Sequence, residues 1–231
     1  METGFFLNLT DLRKYCTAFL LFVCLYGQSQ IRLSVATDLS LMRNFSPDQE
    51  FWSLGETVQF DFHFNQKQSA YAWITYYTPG KFKNNFTATA KSPATSPATI
   101  PFRASARWRS NEVSLGWKHY FKGSFDAETG YNIYGTAGLG LMFTKVDNVF
   151  APAIDTSLYT TPTLAGNSEF YRLTADLGAG VEFPMGGNFF LYSDVRTWIP
   201  TTDYPSPYLH NNKNVPLPFM ISGGMRILFG Y

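Results

Sequence analysis

At 231 residues the chain has room for one large β domain or two ordinary ones. Charged residues make up only 15% of it, against the roughly 25% usual in soluble domains, while aromatic residues reach 18%. A formal net charge of +1 excludes the concentrated basic face that nucleic-acid binding needs. A mean hydropathy of −0.12 rules out a chain built of long apolar helices, so apolar and polar residues must be finely mixed.

The N-terminus reads as a leader. Arg13 and Lys14 precede an apolar run from Tyr15 to Tyr26, and Gly27-Gln28-Ser29 supplies small residues for cleavage near Gln30. Residues 1–29 are expected to be a secretory signal peptide and residues 30–231 one domain. Cys16 and Cys24 both fall in the leader, and Val23 spoils a lipoprotein box. The mature domain is therefore expected to rest on its ladder and packing, without disulfides.

From Ile31 onward the pattern has period two, the signature of strands. Ile31, Leu33, Val35, Leu39 and Leu41 alternate with Arg32, Ser34, Ala36, Asp38 and Ser40. Val58, Phe60, Phe62 and Phe64 alternate with Gln59, Asp61 and His63. Residues 71–78 continue with aromatics in both phases. Phe102, Ala104, Ala106 and Trp108 oppose Arg103, Ser105, Arg107 and Arg109; Val113, Leu115 and Trp117 oppose Ser114, Gly116 and Lys118.

Later segments repeat the pattern. Ile133, Ala137, Leu139, Leu141 and Phe143 oppose Asn132, Thr136, Gly138 and Gly140. Tyr171, Leu173, Ala175, Leu177, Ala179, Val181 and Phe183 oppose Arg172, Thr174, Asp176, Gly178, Gly180 and Glu182. Phe189, Leu191 and Val195 oppose Tyr192, Asp194 and Arg196. The last stretch places Phe219, Ile221, Ile227, Phe229 and Tyr231 in one phase and Ser222, Gly224 and Arg226 in the other.

Charge and glycine on one face of so many strands do not suit a soluble sandwich. Aromatics near strand ends, at Phe64, Trp108, Phe143, Phe183, Phe189 and Phe229, suit interfacial girdles. The fold class expected is all-β, a transmembrane antiparallel up-and-down β-barrel. Short joins at 65–68, 109–112 and 185–188 contrast with long ones at 42–54, 144–168 and 200–218, the arrangement of short periplasmic turns and long external loops.

The strand count reads two ways. A hairpin at Ser110-Asn111, with residues 84–91 as a further strand, makes ten. Two long strands, 69–91 and 99–121, with a bulge near Ser110, make eight. The modest mature length and an exposed tip at Ser92–Pro97 favour eight.

The polar phase then lines the lumen: Arg32, Asp38, Asp61, His63, Arg103, Arg107, Lys118, Arg172, Asp176, Glu182, Asp194, Arg196 and Arg226. Charges of both signs in an interior that about eight strands leave just filled are expected to pair and plug it. A narrow solute channel is the alternative. The loop after residue 200 offers Tyr204, Tyr208 and His210 as contact points for a partner.

Tyr134–Gly140, the Leu177–Phe183 strand and the aromatic C-terminus resemble the small outer-membrane β-barrel domain proteins of Gram-negative bacteria, often labelled porin-like. The resemblance spans 31–231 and implies residence in the bacterial outer membrane among its lipids. It also implies that the closing strand is read by the barrel-insertion machinery, with Tyr231 in place of the commoner Phe. Some small barrels hydrolyse or transfer lipid acyl chains, a chemistry needing a nucleophile, a base and an orienting group. His63, His119 and His210 show no Ser at a recognisable spacing, and there is no Gly-x-Ser-x-Gly elbow. No His-x-x-x-His pattern or mature cysteine suggests a metal. The expectation is a non-enzymatic protein without cofactor, whose partners are lipids and an unidentified surface or periplasmic protein.

Overall fold

A computed structural model describes residues 32–45, 48–201, 208 and 218–230. The leader, Ile31, Tyr204, His210 and Tyr231 lie outside the described residues. Ten strands follow in order: β1 (Arg32–Asn44), β2 (Phe51–Asn65), β3 (Gln68–Tyr77), β4 (Gly80–Ala90), β5 (Thr99–Lys122), β6 (Asn132–Ala151), β7 (Tyr159–Thr160), β8 (Gly166–Gly186), β9 (Phe189–Pro200) and β10 (Pro218–Phe229).

The sheet closes on itself. β10 pairs antiparallel with β1 from Leu33↔Phe229 to Asn44↔Pro218, and the β3–β5 pairing completes the ring. β3 and β4 share β5 as partner, one above the other, so the ring has eight staves and the two-residue β7 hangs on the end of β4. The β1–β10 and β3–β5 pairings close the membrane-level ring, while β4 above it pairs with β5 on one side and with β7 only at Thr89 and Ala90 on the other.

The ten-strand reading is corrected here. β5 runs unbroken through Ser110 and Asn111, which pair with Thr144 and Phe143 of β6. No Gly or Pro in residues 109–112 supplies the positive φ or fixed φ that tight hairpin loops favour. The register step falls on the neighbouring stave instead. Its pairing passes from Tyr76↔Asn111 to Gly80↔Trp108, four steps against three, across Thr78-Pro79. Pro79 has no N–H to give the ladder, so an extra residue there costs little. The step reverses the pleat: Tyr71, Trp73 and Tyr77 point inward from β3, but Phe82 and Ala88 do so from β4.

Several expected loops are in fact strand. β1 ends only at Asn44, β2 begins at Phe51, β6 runs on to Ala151 and β8 begins at Gly166. In these extensions Lys145, Asp147 and Glu169 take the outward positions, so the apolar alternation fades while the ladder continues. The connections at 66–67, 123–131 and 187–188 gather at one end, where two are two-residue turns (the short-turn end), and those at 45–50, 91–98, 152–165 and 201–217 at the other (the long-loop end).

The outward phase forms an apolar belt, with Leu39, Leu54, Ile74, Leu115, Leu139, Leu173 and Ile221 among its exposed members. Ten residue steps separate Ile133 from Phe143 on β6. At a rise of ~3.4 Å and a tilt of ~40° these cover about 26 Å, the height of a bilayer's apolar band. No helix of the described residues is long and apolar enough to cross a membrane. The strands do it.

Candidate functional site

The inward phase fills the lumen in layers. At the short-turn end the 123–131 turn folds into the barrel mouth. Phe125 joins Tyr120, Tyr134, Phe190 and Leu228 in an apolar floor and stacks on the His63 ring at 4.2 Å. Arg32 and Asp126 pair at 3.0 Å at its rim.

Above this floor lies the first charged layer. Arg226 of β10 reaches Glu182 of β8 with Nε to Oε2 at 2.8 Å and Nη2 to Oε1 at 2.6 Å. Its Nη1 donates to Ser34 Oγ at 2.7 Å, and Nη2 also donates to the Phe125 carbonyl at 2.7 Å. Lys118 of β5 lies 3.4 Å from Asp61 and 3.9 Å from Glu182. Gln59 donates to the other oxygen of Asp61, and Asn132 donates to Glu182 Oε1, which also accepts from Arg226. The arginine and lysine also rest on aromatic faces, Arg226 at 3.9 Å from the Phe190 centroid and Lys118 at 4.1 Å from that of Tyr134.

A second layer is centred on Arg196 of β9, held by Asp38 at 2.8 Å and Asp194 at 2.7 Å. Tyr192 donates to Asp38, while Tyr134 and Ser222 donate to Asp194. Trp73 supports the guanidinium at 4.9 Å. Beside it, Glu112 accepts from Thr174 at 2.8 Å, and Ser114 donates to Asp176. Charged groups out of water hold only when so surrounded.

An apolar cap of Met42, Phe51, Tyr77, Trp108, Met142, Val146, Phe170, Trp198 and Met220 packs inside the lumen at the long-loop end. The cavity left among Met42, Phe51, Trp108, Met142 and Trp198 is about 10 Å³. That is at the limit of what one water occupies.

Of the expected lumen residues, Asp38, Asp61, His63, Lys118, Arg172, Asp176, Glu182, Asp194, Arg196 and Arg226 are buried inside, and Arg32 is half-buried at the lower mouth. Arg103 and Arg107 are corrected: both point outward and are exposed. Their stretch of β5 lies above the apolar belt, where water bathes the outside, so the cations face out. Phe102, Ala104, Ala106 and Trp108 turn in, which removes Trp108 from the outer girdle. Tyr208 is half-buried, packed on the apolar cap, with its carbonyl accepting from Asn148 at 3.2 Å. Phe219, Ile221 and Phe229 face outward as exposed belt residues, and Ile227 is half-buried in the same phase.

Two participants and one pairing escaped the sequence reading. Glu112 falls in a stretch read as a turn, yet stepping back by two from Ser114 reaches it. Phe125 lies in a connection without periodicity. Ser34 and His63 are 29 positions apart, yet Ser34 Oγ lies 2.6 Å from His63 Nε2. Arg226 also donates to that oxygen, and which atom of the Ser34–His63 pair donates to the other depends on the imidazole tautomer. This is half of an acyl-transfer constellation. Among the described residues His63 Nδ1 has no hydrogen-bond partner, so no acid of a triad holds the imidazole from that side. Among the described residues no cluster of three His, Cys, Asp or Glu side chains suits a metal.

A closed ring of eight staves, an apolar exterior of bilayer height and a polar interior define the class: a transmembrane β-barrel of the outer-membrane type. Among solved structures the chain is similar to Neisserial surface protein A, at 15% identity over 85% of this chain and 97% of that one, with a TM-score of 0.49. It is similar to the attachment invasion locus protein Ail of Yersinia pestis, solved with the heparin analogue sucrose octasulfate, at 11% identity over 86% and 99%, TM-score 0.47. The N-terminal β-barrel domain of Pseudomonas aeruginosa OprF gives 14% identity over 85% and 97%, TM-score 0.46. No family model matches the chain, and no curated protein does.

Proposed function

We propose that this protein is a sealed scaffold of the bacterial outer membrane. Its long-loop end faces outward and serves as a contact surface for an unidentified surface protein, whereas a periplasmic partner would meet the short-turn end. The observation that carries the reading is the layered lumen, where Arg226–Glu182 and Arg196–Asp38 span the interior beneath an apolar cap. A solute would have to break each buried ion pair, and removing one partner of such a pair costs about 3–5 kcal/mol. That argues for closure and against a narrow porin-like channel.

The staves β4, β5 and β6 rise beyond the apolar belt and carry the 91–98 and 152–165 connections clear of the membrane, which supports a role in contact. Insertion through the barrel-assembly machinery, guided by the outward Phe219, Ile221, Ile227 and Phe229, belongs to the same proposal. No catalysis is assigned: the Ser34–His63 pair sits inside the lumen, with Phe125 stacked on the imidazole, out of reach of a lipid ester.

Planar-bilayer recording of the purified protein tests closure. A silent membrane is the expected result, and reproducible conductance steps would refute it. Lipid acyl composition with wild type and with His63→Ala is expected to be the same; a difference would revive acyl hydrolysis or transfer.

A further inference from the structure

Above the apolar belt, the outward face of β4, β5 and β6 becomes cationic. Lys81 and Lys83 on β4 and Arg103, Arg107 and Arg109 on β5 are exposed there, with Lys145 half-buried on β6. The register sets like charges directly opposite each other twice, Lys81↔Arg107 and Arg109↔Lys145, while Asp147 of β6 opposes Arg107 on its other side. Such like-charge pairs are destabilising across a ladder. Glu169 relieves Lys145 at 2.8 Å. Among the described residues Lys81, Lys83, Arg107 and Arg109 make no salt bridge.

Two open grooves follow these cations. One of about 490 Å³ runs between Lys81, Lys83, Arg107 and Asp147 over Val149. The other, of about 380 Å³, lies between Arg109, Lys145 and Glu169 over Phe143 and Tyr171. Phe143 and Tyr171 form an edge-to-face pair at 5.3 Å and mark the upper edge of the belt. The cations therefore begin one outward position above the aromatic girdle, at the height of lipid headgroups.

We propose that this face binds the phosphates of a phosphorylated glycolipid seated in the leaflet at the long-loop end. The phosphates bridge the opposed cations, and the acyl chains run down over Phe143, Tyr171 and Leu141. A soluble polyanion would use the charges but not the apolar wall directly below them, and this continuity decides for a lipid. The choice of a glycolipid rests on the outward orientation proposed above; the binding geometry does not.

The test titrates the full chain, refolded in non-ionic detergent, with bis-phosphorylated lipid A and reads the lipid-bound fraction by native mass spectrometry. The variant Lys81→Gln/Arg107→Gln/Arg109→Gln is expected to bind about a hundredfold more weakly, roughly fivefold for each cation removed. Lys67→Gln/Lys122→Gln, at the opposite end, is expected to bind as wild type. Heat-modifiable gel mobility of each variant separates lost binding from lost folding. Unchanged affinity in the triple variant, or equal affinity for the dephosphorylated lipid, overturns the proposal. So does inorganic polyphosphate held as tightly as lipid A, which would assign the face to soluble polyanions. Bilayer conductance is indifferent to these outcomes, so failure here leaves the sealed-scaffold reading separately decided.

Discussion

Arg226 and Glu182 meet through two charge-assisted hydrogen bonds across the base of the lumen, and both side chains are fully buried. They lie on staves that are not neighbours, with β9 between them, so the pair ties the barrel internally rather than along one ladder. Glu182→Leu leaves the guanidinium uncompensated and is expected to cost about 3–5 kcal/mol. Removing both charges, Arg226→Met with Glu182→Leu, is expected to recover most of that. Urea unfolding of the vesicle-reconstituted barrel, followed by tryptophan emission, measures both. A single variant that unfolds at the wild-type midpoint would show that the pair carries no stability.

Gly116 and Gly138 oppose each other across β5 and β6, and the Tyr71 hydroxyl occupies the space that both leave. A Cβ at Gly138 would overlap that hydroxyl and lie 2.6 Å from the Leu115 carbonyl oxygen. Gly138→Ala is expected to lose about 1–3 kcal/mol through overpacking. Adding Tyr71→Phe is expected to restore part of it. The same unfolding assay reads the cycle, and strictly additive losses would mean that Tyr71 is not the obstacle.

The direction of β5 above the membrane can be read chemically. In a chain expressed without residues 1–29, which hold Cys16 and Cys24, Arg107→Cys and Ala106→Cys each introduce a single label there. A membrane-impermeant maleimide applied to the folded barrel is expected to modify Arg107→Cys quickly and to spare Ala106→Cys, which faces inward at 6% exposure. The reverse order of rates would invert the pleat assigned to this segment.

Phe125 anchors the short-turn end through its stack on His63 and its carbonyl bond from Arg226. Phe125→Ala is expected to cost about 3 kcal/mol and to expose the 123–131 turn to protease. The bilayer should stay silent, because the Arg196 layer and the apolar cap lie above the floor. Conductance in this variant would mean that the floor alone closes the barrel.

Most of the architecture could be read along the chain. Period-two alternation at 31–41, 58–64, 133–143, 171–183, 189–196 and 219–229 is a local property, and the pleat converts it directly into inside and outside. Ten of the thirteen lumen assignments are buried on the inner face for that reason, and Arg32 follows the same phase at the lower mouth. Arg103 and Arg107 went astray because the rule "apolar outward" holds only where lipid is the solvent. On one continuous strand Val113 and Arg107 share the outward phase, one in the membrane and the other above it.

The closing strand shows where the two kinds of information part. By itself, the alternation of Phe219, Ile221, Ile227 and Phe229 with Ser222 and Arg226 determined that this segment is a strand with a lipid face and a polar face. Only the closed barrel decided what the polar face meets. Arg226 finds Glu182, Ser34 and the Phe125 carbonyl from three other parts of the chain, and Leu33 comes to lie opposite Phe229. Side-chain direction follows from the pleat within a few residues; partners follow from ring closure and register, which bring together positions as far apart as 192 residues.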